Sequence, residues 1–137
     1  MKIGVIKETK DPVDNRVALT PSQVALLNER YPNHRIVVQS SDIRAYTDEE
    51  YRQHRVEVVD DLSECDVLFG IKEASIPTLI PDKHYVFFGH IAKMQSYNRP
   101  LIQAMIEKKL TFSDYEYLVD DAVSYTHLRA HETCADL

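Results

Sequence analysis

Val67-Leu68-Phe69-Gly70-Ile71, followed after one connection by Tyr85-Val86-Phe87-Phe88, decides the fold of this chain. Both runs are short and almost continuously apolar, the pattern of strands buried on both faces. Pro77 and Pro81 bound the connection between them, which has room for a helical turn. Working outward, Ile3 to Lys7 is another short apolar strand, and Arg35-Ile36-Val37-Val38-Gln39 a second. Val56-Glu57-Val58-Val59 is a weaker third, and Thr111-Phe112-Ser113 closes the series. Helix signals fall between these strands. Thr20-Pro21-Ser22-Gln23 combines a capping residue, a first-turn proline and a capping-box glutamine, with Val24, Leu27 and Tyr31 at helical spacing behind it. Pro32-Asn33 ends that helix, and Thr47-Asp48-Glu49-Glu50 opens a short polar one. Asn98-Arg99-Pro100 opens an amphipathic helix with Leu101, Ile102, Met105 and Ile106 as its apolar stripe, and Lys108 and Lys109 near the negative end of its dipole. Strands alternating with helices predict an α/β three-layer sandwich with a mostly parallel sheet, Rossmann-like or flavodoxin-like in layout and truncated.

At 137 residues the chain has the size of one domain able to bury a core. Its formal charge of −6, with basic residues scattered among acids, argues against a nucleic-acid footprint. No apolar run approaches the roughly 20 residues of a membrane-spanning helix, so no membrane role is expected. Met1-Lys2-Ile3-Gly4 leads straight into a strand, without the pattern of a signal peptide. Cys65 and Cys134 make no disulfide framework, and no CxxC or Cys/His cluster points to zinc or another metal. A reducing, cytoplasmic setting follows as the expectation.

Ligands of open parallel sheets collect at the carboxyl ends of the strands. Those ends carry Lys7-Glu8-Thr9-Lys10 with Asn15-Arg16, then Lys72-Glu73, then Gly89-His90-Ile91-Ala92-Lys93, and finally Asp114-Tyr115-Glu116. Arg, Lys, His, a second Lys and acids on one rim suit a carboxylate-bearing amino acid. Each has a plainer alternative: a lone lysine there is commonly a solvated charge, and His90 a satisfied loop histidine. Arg16 could merely anchor its loop to Asp14 or Asp11, and Gly89 could merely permit a turn.

Lys7-Glu8-Thr9-Lys10 followed by Asn15-Arg16-Val17-Ala18-Leu19-Thr20-Pro21 resembles the opening signature of the alanine dehydrogenase and transhydrogenase N-terminal domain. Gly70-Ile71-Lys72-Glu73 is similar to that family's next motif. Phe88-Gly89-His90-Ile91-Ala92-Lys93-Met94-Gln95-Ser96-Tyr97-Asn98 and Asp114-Tyr115-Glu116-Tyr117-Leu118-Val119-Asp120 resemble its saccharopine dehydrogenase (lysine–ketoglutarate reductase) branch. The resemblance implies Lys72 and His90 as a catalytic pair and Arg16 as the donor to a substrate carboxylate. It implies further anion binding by Lys93, charge tuning around Lys72 by Glu73 and Glu116, and a supporting ion pair between Lys10 and Asp14. The implied reaction converts saccharopine, NAD and water to lysine, 2-oxoglutarate and NADH. A lysine base suits removal of the amine proton; because lysine ordinarily titrates at about 10.4, that role near neutrality requires a lowered pKa or turnover favoured at alkaline pH. A histidine suits hydrolysis of the resulting imine.

The dinucleotide fingerprint GxGxxG needs three closely spaced glycines, whereas Gly4, Gly70 and Gly89 lie far apart. The expectation is a substrate-binding domain over residues 1–121 whose nucleotide-binding domain is missing, so that NAD belongs to the parent enzyme and this fragment is inactive alone. Residues 122–137, beginning Ala-Val-Ser-Tyr-Thr-His-Leu, are expected to be a non-native or disordered tail. Two alternatives stand beside this reading: the N-terminal domain of an alanine dehydrogenase, and a non-catalytic module that binds an amino acid.

Overall fold

A computed structural model describes residues 1–91 and 95–119. Lys93, expected to bind an anion, and residues 122–137, expected to be a tail, lie outside the described residues. Six parallel strands form one sheet: β1 (Lys2–Val5), β2 (Arg35–Gln39), β3 (Val58–Val59), β4 (Val67–Lys72), β5 (His84–Phe88) and β6 (Thr111–Asp114). Their order is β3-β2-β1-β4-β5-β6, and every adjacent pair is parallel. The chain winds outward from β1 on one side, then crosses to β4 and winds outward on the other. The β1/β4 boundary is therefore the topological switch point, where loops leave in opposite directions and open a crevice beyond the carboxyl ends.

Three helices cover the sheet: α1 (Pro21–Arg30), α2 (Asp48–Gln53) and α3 (Arg99–Glu107). Alternation along β2 divides the core, because successive strand residues face opposite sides. Val37 packs with Leu68, Tyr85, Phe87 and the α3 residues Leu101, Ala104 and Met105. Val38 packs with Val5, Val24 of α1 and Tyr51 of α2. Helices on both faces give the three layers expected. Thr20 and Thr47 cap α1 and α2 through the capping boxes read from the sequence, each threonine accepting from the third-residue N–H while Gln23 or Glu50 reaches back.

Several boundaries move. β1 stops at Val5, β3 shrinks to two residues, and β4 extends to Lys72. The proline-bounded connection holds a 3-10 turn at Ile76–Thr78. Tyr31 and Ile106 are 51% and 71% exposed, so neither belongs to its helix's buried stripe. Tyr31 is already the C-cap of α1, past its last turn, and the face of α3 that meets the core is narrower than the stripe, burying only Leu101, Ala104 and Met105. Lys108 caps α3, and its ammonium donates to the Leu79 carbonyl at 2.8 Å.

The segment from Ser40 to Thr47 braces the long connection between β1 and α1. The Arg44 guanidinium pairs with Asp48, donates to the Tyr46 carbonyl, and lies 4.5 Å from the Tyr51 ring centroid. Ala45 N–H donates to the Asn15 carbonyl at 2.7 Å, and the Tyr51 hydroxyl to Leu19 at 2.6 Å. Tyr51→Phe keeps the ring and removes that bond, leaving a carbonyl without its donor. It should cost about 1–2 kcal/mol, seen as a lower urea midpoint at unchanged slope.

Candidate active site

The site grows from the residues that follow β1. Ile6 N–H still bonds Phe69 O across the sheet at 3.0 Å, and beyond it the chain leaves the ladder. Glu8 then turns into the β1/β4 crevice, where its carboxylate accepts from Ile71 N–H at 3.1 Å and Lys72 N–H at 2.7 Å. It is 8% exposed. Burial pushes its pKa up against these two bonds, which pull it down. Thr9 Oγ1 accepts from Ser75 N–H at 3.0 Å, and Lys10 pairs with Glu73 at 3.0 Å. The loop after β1 is thus stitched to the segment after β4.

Asp14 completes the stitching. Its carboxylate takes the Arg16 guanidinium as a fork, Nε at 3.0 Å and Nη2 at 2.7 Å, and also faces Lys72 Nζ at 3.6 Å. The Arg16 hydrogen bonds hold its pKa at about 2 despite the opposing burial. The side chains of Arg16 and Lys72 remain 56% and 36% exposed, so a ligand can reach both.

His90 follows β5 with φ of 53°, the left-handed region that a non-glycine residue enters at a cost of about 1–3 kcal/mol. Local contacts hold it there. Asn98, 1% exposed, donates from Nδ2 to the His90 carbonyl at 3.0 Å. His90 Nδ1 lies 2.9 Å from Glu116 Oε1, and the ring stacks against Phe88. Glu116 belongs to a 3-10 turn (Tyr115–Tyr117) after β6, and its N–H donates to Asp114.

Arg16 and Lys72 therefore meet through Asp14, while His90 meets Glu116 at the ends of the neighbouring strands β5 and β6. Glu73 is engaged by Lys10. The expected Lys10–Asp14 ion pair is not formed: Asp14 faces Arg16 and Lys72 instead. The physical reason is that the guanidinium fork of the residue two places on fills the Asp14 carboxylate. The roles of Glu8 and Asn98 escaped the sequence, where one was a motif member and the other a helix opener. An acid placed one step beyond a buried strand was the available signal for Glu8; Asn98 carried none.

No group of three or more His, Cys, Asp or Glu residues among the described ones is placed to hold a metal ion. A nucleotide does not fit the glycines either. A Cβ on Gly4, Gly70 or Gly89 would stand 2.7–2.9 Å from the side chains of Leu62 and Leu68, Ile6 and Glu8, or Phe112. Their bare backbones are filled by the protein's own core, so none offers the open turn that cradles a pyrophosphate.

The family "Alanine dehydrogenase/PNT, N-terminal domain" matches residues 4–135. Alpha-aminoadipic semialdehyde synthase of Arabidopsis thaliana is 37% identical over 123 residues, covering 87% of this chain and 12% of that protein. The mitochondrial alpha-aminoadipic semialdehyde synthase of Bos taurus is 29% identical over 114 residues, covering 83% and 12%. The chain thus spans about an eighth of the length of these relatives. Among solved structures, an L-alanine dehydrogenase superposes with a TM-score of 0.72 at 25% identity, covering 93% of this chain and 36% of that one. The transhydrogenase of Sinorhizobium meliloti superposes at 0.66 with 22% identity, covering 85% and 35%, which bears on the fold alone. No helix among the described residues is long and apolar enough to cross a membrane.

A depressed carboxylate pKa adds stability that is present above the ordinary value of 3.8 and is lost as pH falls through about 2. Asp14→Asn should therefore flatten the acid limb of the stability curve between those values. The lost increment should be about 1–2 kcal/mol, discounted because Arg16 is half exposed. Urea denaturation of both proteins at successive pH values reads it.

Proposed function

Because the chain belongs to the alanine dehydrogenase/PNT N-terminal domain family, we propose that it is the substrate-binding part of an NAD-dependent saccharopine dehydrogenase. The parent enzyme would convert saccharopine, NAD and water to lysine, 2-oxoglutarate and NADH, with NAD bound by a further domain and this part inactive alone. One observation carries the proposal. Arg16, from the loop after β1, and Lys72, from the carboxyl end of β4, converge on a single carboxylate, that of Asp14. A cationic fork and an ammonium set around one carboxylate form the recognition chemistry of an amino-acid substrate.

In this reading Arg16 binds a substrate carboxylate, Lys93 adds a second anion contact, and Lys72 takes the proton of the secondary amine. Asp14 holds Lys72 beside that carboxylate, and Glu73 and Glu116 set the surrounding charge. When His90 is neutral and donates from Nδ1 to Glu116, its Nε2 is left with a lone pair, which suits it to draw a proton from the water that hydrolyses the imine. The saccharopine assignment is supported by the relatives named alpha-aminoadipic semialdehyde synthase, and alanine dehydrogenase by the likeness to a solved L-alanine dehydrogenase. A cytoplasmic setting stays within the proposal and rests on the free, buried Cys65. The Bos taurus relative is itself named mitochondrial.

The decisive assay supplies the complete gene product with NADH and either lysine plus 2-oxoglutarate or pyruvate plus ammonium. Oxidation with the first pair is expected, and oxidation with pyruvate alone would sink the saccharopine reading. By calorimetry, Arg16→Ala should weaken saccharopine binding roughly 10- to 100-fold, the loss of one charge-assisted contact. Arg16→Lys should recover part of it.

A further inference from the structure

We propose that Glu8 is the positioning residue of Lys72, fixing the backbone at the end of β4 so that the lysine ammonium is delivered to the Arg16–Asp14 cluster. The inference rests on the functional reading only in calling Lys72 the reactive group; the geometry stands by itself. Four observations converge on it. The pairing of β4 with β5 shifts register between Phe69 and Lys72, so the ladder is irregular where the lysine emerges. The N–H groups of Ile71 and Lys72 both point instead to the Glu8 carboxylate, at 3.1 and 2.7 Å. Gly70 makes room for it: a Cβ there would stand 2.8 Å from Glu8 Oε2. And Asp14, from the same loop, meets the other end of the same residue at Nζ.

A carboxylate that takes two successive backbone donors replaces a missing strand at that point. Charge-assisted bonds of this length are stronger than neutral ones, and both converge on one buried group. Residue 72 is thereby held at its backbone by Glu8 and at its ammonium by Asp14. A glutamine at position 8 is not equivalent, because its amide offers one accepting oxygen and turns an NH2 toward the second N–H.

The test is the rate at which Lys72 is acetylated by a water-soluble N-hydroxysuccinimide ester, quantified by mass spectrometry in the unliganded chain. Lys2, Lys83 and Lys108 serve as internal references. Glu8→Gln should raise the relative rate at Lys72 about threefold or more, as the ammonium is released from its pairing with Asp14. Gly70→Ala keeps the Glu8 charge while its methyl displaces the carboxylate, and should do the same. A response to Glu8→Gln alone would mean that charge acts rather than placement, and would overturn the proposal, as would no change in either variant. Should Glu8→Gln fail to fold, Gly70→Ala decides together with hydrogen exchange of the unmodified protein. There the Lys72 amide should exchange far more slowly than exposed loop amides, and equal rates refute the proposal. Saccharopine binding is scored separately: loss of that reading with an intact labelling response leaves Glu8 in place, and binding with an unchanged response removes it.

Discussion

A single buried carboxylate at the switch point of the sheet governs this structure. A parallel sheet whose strand order reverses must open at the reversal, because the connections leave to opposite faces. Here the opening lies between β1 and β4, and Glu8 fills it, accepting from the backbone N–H groups of Ile71 and Lys72 beyond the end of β1. A buried acid without partners would be costly, and bare amides in the same place would be costly too. Each removes the other's penalty, so the crevice closes around its own chemistry.

Everything at the rim is arranged about that closure. Thr9, Lys10 and Asp14 attach in turn to Ser75, Glu73 and Lys72. On the outer side the loop is braced by Ala45 against Asn15 and by Tyr51 against Leu19. The second half of the rim uses another device, a histidine in left-handed backbone held by a buried asparagine. Both halves carry a cationic or titratable side chain beside an acid, so the rim is electrostatically paired within itself.

Much of this was legible in the residues. Continuous apolar runs announced β4 and β5, and the capping boxes at Thr20 and Thr47 announced α1 and α2, because these signals are local. The strand-end rule put Lys72, His90 and Glu116 at one edge of the sheet, and topology alone requires that of residues at the carboxyl ends of parallel strands. Partner choice was legible only in part: Asp14 was one of two anchors open to Arg16, and it is the one taken. Lys10 was assigned to Asp14 and pairs with Glu73, because sequence proximity says nothing of how a loop folds over its neighbour. The extent of apolar stripes failed for a similar reason: Ile106 has the right period but stays exposed, while Leu101, Ala104 and Met105 meet the sheet. Glu8 was read as a motif letter because its value depends on a crevice that exists only in three dimensions.

The stitching of the loop after β1 bears on how such a chain can vary. A surface connection usually tolerates insertions and deletions. The one from Lys7 to Arg16 is pinned at four points to a neighbouring segment, so its length is as constrained as that of a core strand. Gain or loss of a single residue between Glu8 and Asp14 would throw one anchor out of step with the other. Variation in length is accommodated better at the opposite, amino-terminal edge of the sheet, around Pro32 to His34. There the turn is tied, among the described residues, only to the chain terminus, Asn33 accepting from the Met1 ammonium, and loop exchange between related proteins would leave the opposite rim intact.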